Sequence, residues 1–348
     1  MIKYIIRRLL VLPIVIFFVT VVLFLMYLRL PVEQRAMIYI PSFNPHITEE
    51  EFERLMQVTI DRYGLDDPLP VQYVKWLREL IADEWGFSPT WRETVLQGIR
   101  NRGPASLELA LLAMIPAILL AVLLGSLSAR GYGRFPDHAV RSASFVAWAF
   151  PPFILALILL NVFYAWLGWF PPGRSSLWAS DIISSEAFRS YTGLLTLDAL
   201  LNGELGVFWD ALRHLVLPAF TLALAVWALL TRVMRSSLLD VLHQDYVTTA
   251  RAKGLPERAV VNRHARRNAI LPVISTGGAA TSILITSLVV VEVVFNYNGI
   301  GRWALKAILE SDIPVATGFT VFTCLVVVLA SLLADILYAV VDPRVRLF

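Results

Sequence analysis

A basic segment interrupted by a glycine lies between two long apolar stretches, and it is the most informative part of the sequence. Residues 245–268 place arginine and lysine side chains on both sides of Gly254. Cationic side chains on a short helix suit docking into the groove of a partner protein rather than bond-breaking chemistry. The alternative is a basic loop held near anionic lipid. From these residues alone the two interpretations stand about even.

The spacing within this segment predicts two helices joined by a sharp turn. Apolar positions over residues 238–253 recur at roughly helical intervals, which predicts one helix there. Gly254 ends that helix, because glycine adopts the left-handed conformation without a Cβ penalty. Leu255-Pro256-Glu257 then starts a second helix with proline in its first turn, and this helix leads into the next apolar stretch.

The composition indicates that a membrane must hold these elements in place. Hydrophobic residues make up 57% of the 348 residues and charged residues only 16%, which is typical of a polytopic membrane protein. The single cysteine, Cys324, excludes an intramolecular disulfide and a cysteine metal site, and leaves the redox compartment open. The net charge of +3 is small, so nucleic-acid binding has little support.

Six apolar stretches are candidates for membrane-spanning helices, since about 20 residues cross a hydrocarbon layer of roughly 30 Å. The first stretch is too long for the apolar core of a signal peptide, and residues 29–31 form a poor cleavage site, so we expect an uncleaved anchor. The six stretches are residues 9–28, 107–129, 142–167, 215–230, 270–291 and 315–334.

The connections between these stretches differ in charge, which predicts their orientation. Among the short connections, arginines are concentrated in the second and the fourth, and the tail adds Arg344 and Arg346. Because positive charge favours the cytoplasmic side, both termini are expected in the cytoplasm and the first, third and fifth connections outside.

Two of the outer connections carry further signals. In the first connection Thr48 and Glu51 form a capping box, which predicts a helix over residues 48–63 that stops at Gly64, and a second helix follows Pro70. The third connection, residues 168–213, has no clear periodicity and predicts a loop with a short helix at residues 197–201.

Several functional classes lack their motifs. The sequence contains no phosphate-binding loop of the G-x-x-x-x-G-K-[ST] type, so any ATP hydrolysis belongs to another polypeptide. Glu108, Glu292 and Asp335 are expected at span ends, and mid-membrane carboxylates, which proton- or sodium-coupled carriers usually have, are therefore not predicted. No hydrolase motif or metal-ligand cluster is present, so we expect a chain that is not itself catalytic.

The basic segment resembles the EAA loop of permease subunits in binding-protein-dependent ABC importers. Thr248-Thr249-Ala250 stands at the Glu-Ala-Ala position, Gly254 at the glycine, and Leu271-Pro272 at the closing Leu-Pro. The departures from the general form match the dipeptide/oligopeptide/nickel branch. Its motifs are seen as Gln244-Asp245-Tyr246, Ala250-Arg251-Ala252-Lys253-Gly254 and Arg263-His264-Ala265-Arg266-Arg267-Asn268-Ala269.

The resemblance continues over nearly the whole chain. It departs at residues 30–33, which lack a usual Pro-Gly-Asp, and around residues 197–209, which look like an insertion. The matching segments are residues 4–10, 64–73, 106–110, 212–218, 295–301 and 342–344.

The resemblance implies an all-α membrane protein with six transmembrane helices and a five-helix type I importer core. A cytoplasmic EAA coupling helix and an extracytoplasmic helical insertion after the first span complete this fold. The implied segments are an N-terminal transmembrane helix at 1–30, the extracytoplasmic segment at 31–104, the permease core at 105–341 with the EAA loop at 238–272, and a cytoplasmic tail at 342–348.

The resemblance also implies partners and a function. The chain would pair with a second homologous permease and with two cytosolic ATPases, which bind ATP and Mg, in the inner membrane of a prokaryote. An external solute-binding protein would deliver the cargo, membrane lipid would surround the spans, and no cofactor would reside in this chain. Di- or oligopeptides are the expected cargo, with oligosaccharides or nickel as alternatives and an ATP-independent channel or receptor component as an alternative of another class.

The same resemblance assigns ATPase coupling to one set of residues and leaves the substrate-binding residues unassigned. In this interpretation Gly254 is the pivot, and Arg263 and His264 line the adjacent cytosolic surface. The coupling residues are Asp245, Tyr246, Thr248, Thr249, Ala250, Arg251, Ala252, Lys253, Gly254, Arg263 and His264.

Overall fold

Helices form nearly all of the regular structure in the computed structural model, which describes residues 2–40, 48–82 and 85–341. The predicted tail at 342–348, with Arg344, Arg346 and the motif at 342–344, lies outside the described residues. The helices are α1 (Ile2–Tyr27), α2 (Val32–Met37), α3 (Glu49–Tyr63), α4 (Leu69–Ile81), α5 (Val95–Arg130), α6 (Phe135–Ala149), α7 (Pro152–Leu160), α8 (Leu177–Ile183), α9 (Leu195–Leu201), α10 (Leu205–Leu242), α11 (Asp245–Ala252), α12 (Glu257–Ala259), α13 (Arg266–Ala269), α14 (Leu271–Val294), α15 (Ile300–Leu309) and α16 (Ile313–Val341), with π-helical turns at Asn161–Trp166 and Val260–Ala265.

The predicted all-α class is confirmed by the predominance of helices, and a short β-hairpin is the one strand pairing that the described residues add to it. Strands β1 (Phe87–Ser88) and β2 (Glu93–Thr94) pair in antiparallel register. The buried Ser88 hydroxyl donates to Asp312 Oδ2 over 2.5 Å, and the backbone N–H of Thr90 donates to the same oxygen over 3.3 Å. Strands of two residues are too short to leave an alternating pattern, which is why the sequence did not reveal them.

The described residues contain four or five helices that are long and apolar enough to cross a membrane, so the predicted count of six is not confirmed. Within the described residues, α5, α10, α14 and α16 qualify outright, and the pair Phe135–Ala149 and Pro152–Trp166 adds a fifth if it is one bent span. The two members of this pair meet at 99°, a bend that the prediction of a span at 142–167 did not include. Pro151 and Pro152 cause the break, because a residue that precedes proline is driven out of the helical conformation, as the ψ of 126° at Phe150 shows.

Helix boundaries confirm some predictions and correct others. The capping box of Thr48 and Glu51 is present at the start of α3, and Gly64 ends α3 at a φ of 62°. Helices α4 and α9 also occur where the sequence predicts them. Helix α5, however, begins at Val95 rather than at 107, which places Glu108 inside a helix instead of at its end.

The chain divides into two compact units. The first consists of Met1–Arg8, Ala105–Asn298 and Leu329–Phe348, and the second of Leu9–Pro104 and Gly299–Val328. The two units are defined by packing and not by function. The segments predicted at 1–30, 31–104, 105–341 and 342–348 therefore stay a prediction.

Small residues at intervals of four along α5, interrupted by Leu109, organise the first unit. Ala105, Ala113, Ala117 and Ala121 are completely buried in the core that α5 shares with α10 and α14. A Cβ at Gly125, the next position in the series, would come within 2.9 Å of the Thr231 carbonyl on α10. Small residues therefore let these apolar helices approach closely, as membrane helices do where both helices and lipid are apolar.

Aromatic packing organises the second unit. Phe24 and Tyr27 of α1 lie with Trp76 of α4 in one buried cluster. In a neighbouring cluster Trp303 of α15 lies so close to α5 that a Cβ at Gly98 would be 2.3 Å from its ring. Aromatic rings pack against glycine in this unit, whereas rows of alanine allow the helices of the first unit to pack closely.

Candidate functional site

The EAA loop, residues 238–272, contains a break that the sequence did not predict. The expected single helix over 238–253 is wrong: α10 continues through Leu238 to Leu242, and α11 begins only at Asp245. The break changes which side chains are buried, because Leu238 packs as part of α10 while Val247 and Ala250 form the buried side of α11. An acidic residue in the first turn, Asp245, was the available signal for a new helix start.

Most predicted coupling residues lie on the exposed side of α11 and of the turn that follows it. Tyr246 keeps 41% of its surface exposed, and Ala250 alone among these α11 residues is buried. The small side chain of Ala250 therefore packs against other residues of this chain. The other exposed residues of this surface are Asp245, Thr248, Thr249, Arg251, Ala252, Lys253 and Gly254.

Gly254 ends α11 as predicted, through a specific turn. Its φ is 76°, and its N–H donates to the Arg251 carbonyl over 2.9 Å while the N–H of Leu255 donates to the Ala250 carbonyl over 3.4 Å. This pair of bonds is a Schellman motif, which satisfies carbonyls at the helix end and requires the left-handed conformation at its glycine. A Cβ at Gly254 would meet nothing within 4 Å, so a substitution here would strain the backbone without a steric clash.

An ion pair spans the same turn. Arg251 donates to both carboxylate oxygens of Glu257, over 3.1 Å from Nε and 2.8 Å from an Nη. The hydrogen bonds from Arg251 hold the pKa of Glu257 below its usual value. Both side chains are substantially exposed, so the pair orders the turn and contributes little to global stability.

The segment after the turn joins the loop to the rest of the first unit. Its π-helical turn, Val260–Ala265, buries Val260, Val261 and Ala265, and leaves Arg263 exposed and His264 half-buried. Asn268 donates to the Tyr246 hydroxyl over 2.8 Å, which links this segment to α11. The structure thus brings the predicted residues on both sides of Gly254 to one continuous, largely polar surface.

The surface presents exposed cations and hydroxyl groups. Among the residues described in the structure, no group of three or more histidine, cysteine, aspartate or glutamate side chains is placed to hold a metal ion. Behind the turn lies a cavity of about 230 Å³ lined by Arg130, Arg251, Glu257 and Arg258 among others. Exposed cations and hydroxyl groups on a short helix can bind a partner's groove.

The sequence did not predict a buried ion pair that lies close to the EAA loop. Asp137 of α6 is 1% exposed and accepts two hydrogen bonds from Arg235 of α10, over 2.6 and 2.9 Å. Ser128 at the end of α5 donates to the same carboxylate over 2.6 Å. Asp137 therefore ties three helices together, and only an aspartate following a proline in a first helical turn signalled this in the sequence.

Glu108 is the second residue with an unexpected position. It is 3% exposed and accepts hydrogen bonds from the backbone N–H groups of Leu195 and Thr196, over 3.1 and 2.7 Å, at the start of α9. Arg174 lies 3.4 Å from the same carboxylate and donates to the Gly193 carbonyl over 2.7 Å. Glu108 thus anchors the third connection, residues 168–213, to α5.

Two further carboxylates fix the third connection from within. Burial favours the protonated form of Asp198, but hydrogen bonds from Thr192 and Ser190 outweigh it and lower the pKa of Asp198. Asp210 accepts both the backbone N–H and the hydroxyl of Ser176, over 2.7 and 2.6 Å. The segment without sequence periodicity is therefore ordered by polar contacts at single residues.

The sequence matches known families and known proteins over most of its length. Residues 121–347 match the family described as "Binding-protein-dependent transport system inner membrane component", and residues 1–110 match the corresponding N-terminal family. The chain is 38% identical to the oligopeptide transport system permease protein AppB of Bacillus subtilis over 348 residues, which is 99% of this chain and 100% of AppB.

Two further relatives cover a smaller share of the sequence. The di/tripeptide transport system permease protein DppB of Pseudomonas aeruginosa is 39% identical over 82% of this chain and 84% of its own length. The probable D,D-dipeptide transport system permease protein DdpB of Escherichia coli is 38% identical over 81% of this chain and 82% of its own length.

Proposed function

The chain belongs to the family of binding-protein-dependent transport system inner membrane components, and from this we propose that it is the permease subunit of an ATP-driven peptide importer. The observation that carries the proposal is the similarity over essentially the full length to a permease named for oligopeptide transport. Relatives named for di- and tripeptides match over four fifths of the chain. The proposed cargo is therefore a di- or oligopeptide.

The EAA loop supports an assignment of the coupling role. Helix α11 has a buried side that fixes it to this chain and an exposed side that is free to enter a groove. In the proposal that exposed side docks on a cytosolic ATPase, and Gly254 allows the sharp turn that returns the chain to α14. Closure of the ATPases on ATP and Mg would then move α11, and α10 and α14 would transmit the motion.

The proposed topology has six crossings with both termini in the cytoplasm. The apolar part of α1 counted in the described residues is Pro13–Tyr27, and the bent pair α6 and α7 supplies another crossing. Exposed arginines and lysines around Gly254 support a cytoplasmic position for the EAA loop. The proposed complex contains a second, homologous permease, two ATPases and an external solute-binding protein.

Isolation of the native complex through a tag on this chain tests the proposal. Mass spectrometry of the gently solubilised complex should recover a second permease, ATPase subunits and a solute-binding protein that retains a peptide. Recovery of this chain alone, under conditions that preserve a known importer, would contradict the proposal. A binding protein that retains a sugar or a metal chelate would refute the peptide assignment while leaving the importer in place.

A further inference from the structure

A large cavity in the first unit, distinct from the EAA loop, lies between α6 and α10. Its volume is about 920 Å³, and its lining includes residues of both helices on the side where α10 changes from apolar to charged. Thr231 and Arg232 stand directly after the uncharged run at 215–230, so the cavity opens at the level where hydrocarbon gives way to a charged surface.

The cavity is lined by cations. Arg141 of α6 and Arg232 of α10 are both exposed and both line it, and His138 adds an imidazole. The Arg232 guanidinium lies 5.9 Å from the centre of the Trp148 ring. Arg235 also lines the cavity, but its guanidinium forms an ion pair with Asp137. Among the described residues, Arg141 and Arg232 form no ion pair with a carboxylate of this chain, so their charges favour an anion.

Two buried hydroxyl groups line the same cavity. Ser144 is 6% exposed and Thr231 is 2% exposed, and within the described part of the chain neither hydroxyl has a hydrogen-bond partner. Such a group costs free energy when it stays unpaired, and both can donate to an anionic oxygen. The polar lining is thus built from two cations and two unpartnered donors on facing helices.

The remaining lining selects for an amphiphile. Phe145, Val146 and Trp148 line the cavity and are 71%, 55% and 46% exposed. A small soluble anion would leave these apolar surfaces uncovered, whereas an acyl chain would cover them. Basic pockets between membrane helices on the cytoplasmic side favour acidic headgroups.

We propose that the cavity between α6 and α10 binds an anionic phospholipid, with its phosphate between Arg141 and Arg232 and its acyl chain against Phe145 and Trp148. The phosphate oxygens accept hydrogen bonds from the Ser144 and Thr231 hydroxyls. Bound lipid would fill the space between α6 and α10 and stabilise their arrangement next to the bent segment at Pro151. This site needs the chain to be in a membrane and does not depend on which solute it transports.

Native mass spectrometry of the full-length chain, purified with its associated subunits and exchanged into phosphatidylglycerol or phosphatidylcholine, tests the proposal. The native chain should retain phosphatidylglycerol and not phosphatidylcholine. The double variant Arg141→Gln/Arg232→Gln should bind phosphatidylglycerol on the order of 30-fold more weakly, since each basic residue near an anionic lipid contributes about a factor of five. The matched control Arg134→Gln removes an exposed charge at the start of α6, outside the cavity, and should retain the lipid.

Further variants and competition experiments distinguish a bound lipid from a free anion or a transported peptide. Thr231→Val removes one hydrogen-bond donor at nearly constant volume and should weaken the binding of phosphatidylglycerol several-fold. If the glutamine variants misfold, Arg141→Lys/Arg232→Lys keeps both charges and should retain most of the binding. Equal retention by the double variant and the control would overturn the proposal. Displacement of the lipid by millimolar inorganic phosphate would assign a free anion site, and displacement by a dipeptide would assign the cavity to the transport path; either result overturns the lipid assignment.

Discussion

The third connection and the EAA loop lie at opposite ends of α10 and use their charged residues in opposite ways. Helix α10 has 38 residues and so is about 57 Å long. In the third connection the carboxylates of Asp198 and Asp210, with Glu108 of α5, accept hydrogen bonds from the chain itself. In the EAA loop Lys253 and Arg263 are exposed and have no ion-pair partner among the described residues.

The difference separates structural charges from charges that remain available for recognition. Buried carboxylates that are fully hydrogen-bonded hold a segment in place, and removal of one leaves buried donors unpaired. Exposed cations contribute little to the fold, so a substitution there should change the binding of a partner more than the stability of this chain. Substitutions at the two ends of α10 should therefore have opposite consequences.

The largest expected effect on stability is at Glu108. Glu108→Ala should lower the free energy of unfolding by about 3 kcal/mol, because the N–H groups of Leu195 and Thr196 lose their acceptor and Arg174 loses its nearby carboxylate. Thermal unfolding of the purified complex measures this. Glu186→Ala, which removes an exposed carboxylate from the same connection, should unfold near the native temperature. Equal losses in the two variants would remove the distinction between structural and surface charges.

The largest expected effect on transport is at Gly254. Gly254→Asp should insert normally but reduce ATP-dependent peptide uptake at least about tenfold, because a left-handed aspartate is strained and adds charge to the docking surface. Gly203 in the third connection offers a matched control, since it also has a φ of 76° and open space around its Cβ position. Gly203→Asp carries the same strain and should transport normally. Normal uptake by the Gly254 variant would refute the pivot assignment.

A smaller effect is expected at Lys253. Lys253→Gln should leave the unfolding temperature unchanged and reduce the ATPase recovered with the chain by about threefold, as expected for one exposed charge at an interface. Quantitative co-purification at fixed salt measures the change. Arg189→Gln, an exposed position in the third connection, is the control and should recover the native amount. The same loss in both variants would show that the effect follows net charge and not location.

The smallest effect concerns the ion pair across the turn. Glu257→Gln should destabilise the turn by about 0.5 kcal/mol at pH 7, because Arg251 loses an ionised partner at an exposed site. The folded pKa of Glu257 is lowered, so the pair is fully formed above the ordinary glutamate value of 4.5 and is lost as the pH falls through the folded pKa. The difference between native chain and variant should therefore disappear in acid. Hydrogen exchange at Leu255, corrected for intrinsic rates, measures it; a difference that grows in acid would contradict the assignment.

The sequence predicted the parts of the fold that have local signals. Gly254 as a helix end, the capping box at Thr48 and the apolar runs of α5 and α16 all follow from neighbouring residues. The contacts of Asp137 and Glu108 could not be predicted, because their partners Arg235 and Thr196 are 98 and 88 residues away in the chain. The break before α11 was missed because apolar residues on both sides of it keep a helical spacing.

The same limit applies to the candidate site. Its residues could be proposed from the sequence because most of them form a continuous run, whereas the cavity between α6 and α10 joins two distant segments and left no pattern in the sequence. The 99° bend after α6 follows from Pro151 and Pro152, and those residues lie within an apolar run that predicted a span without indicating a bend. The backbone restriction imposed by the two prolines bends the chain there, although the hydropathy of the run alone gives no sign of a bend.

Site-specific cross-linking tests the central claim most directly. A photoreactive side chain is placed either at Thr249, on the exposed side of α11, or at Glu186, in the third connection, and the native complex is irradiated while it transports peptide. The proposed function predicts an adduct with the ATPase from Thr249 and none from Glu186. A transporting complex that gives no ATPase adduct from Thr249, or gives one from Glu186, would contradict the assignment of α11 as the coupling helix.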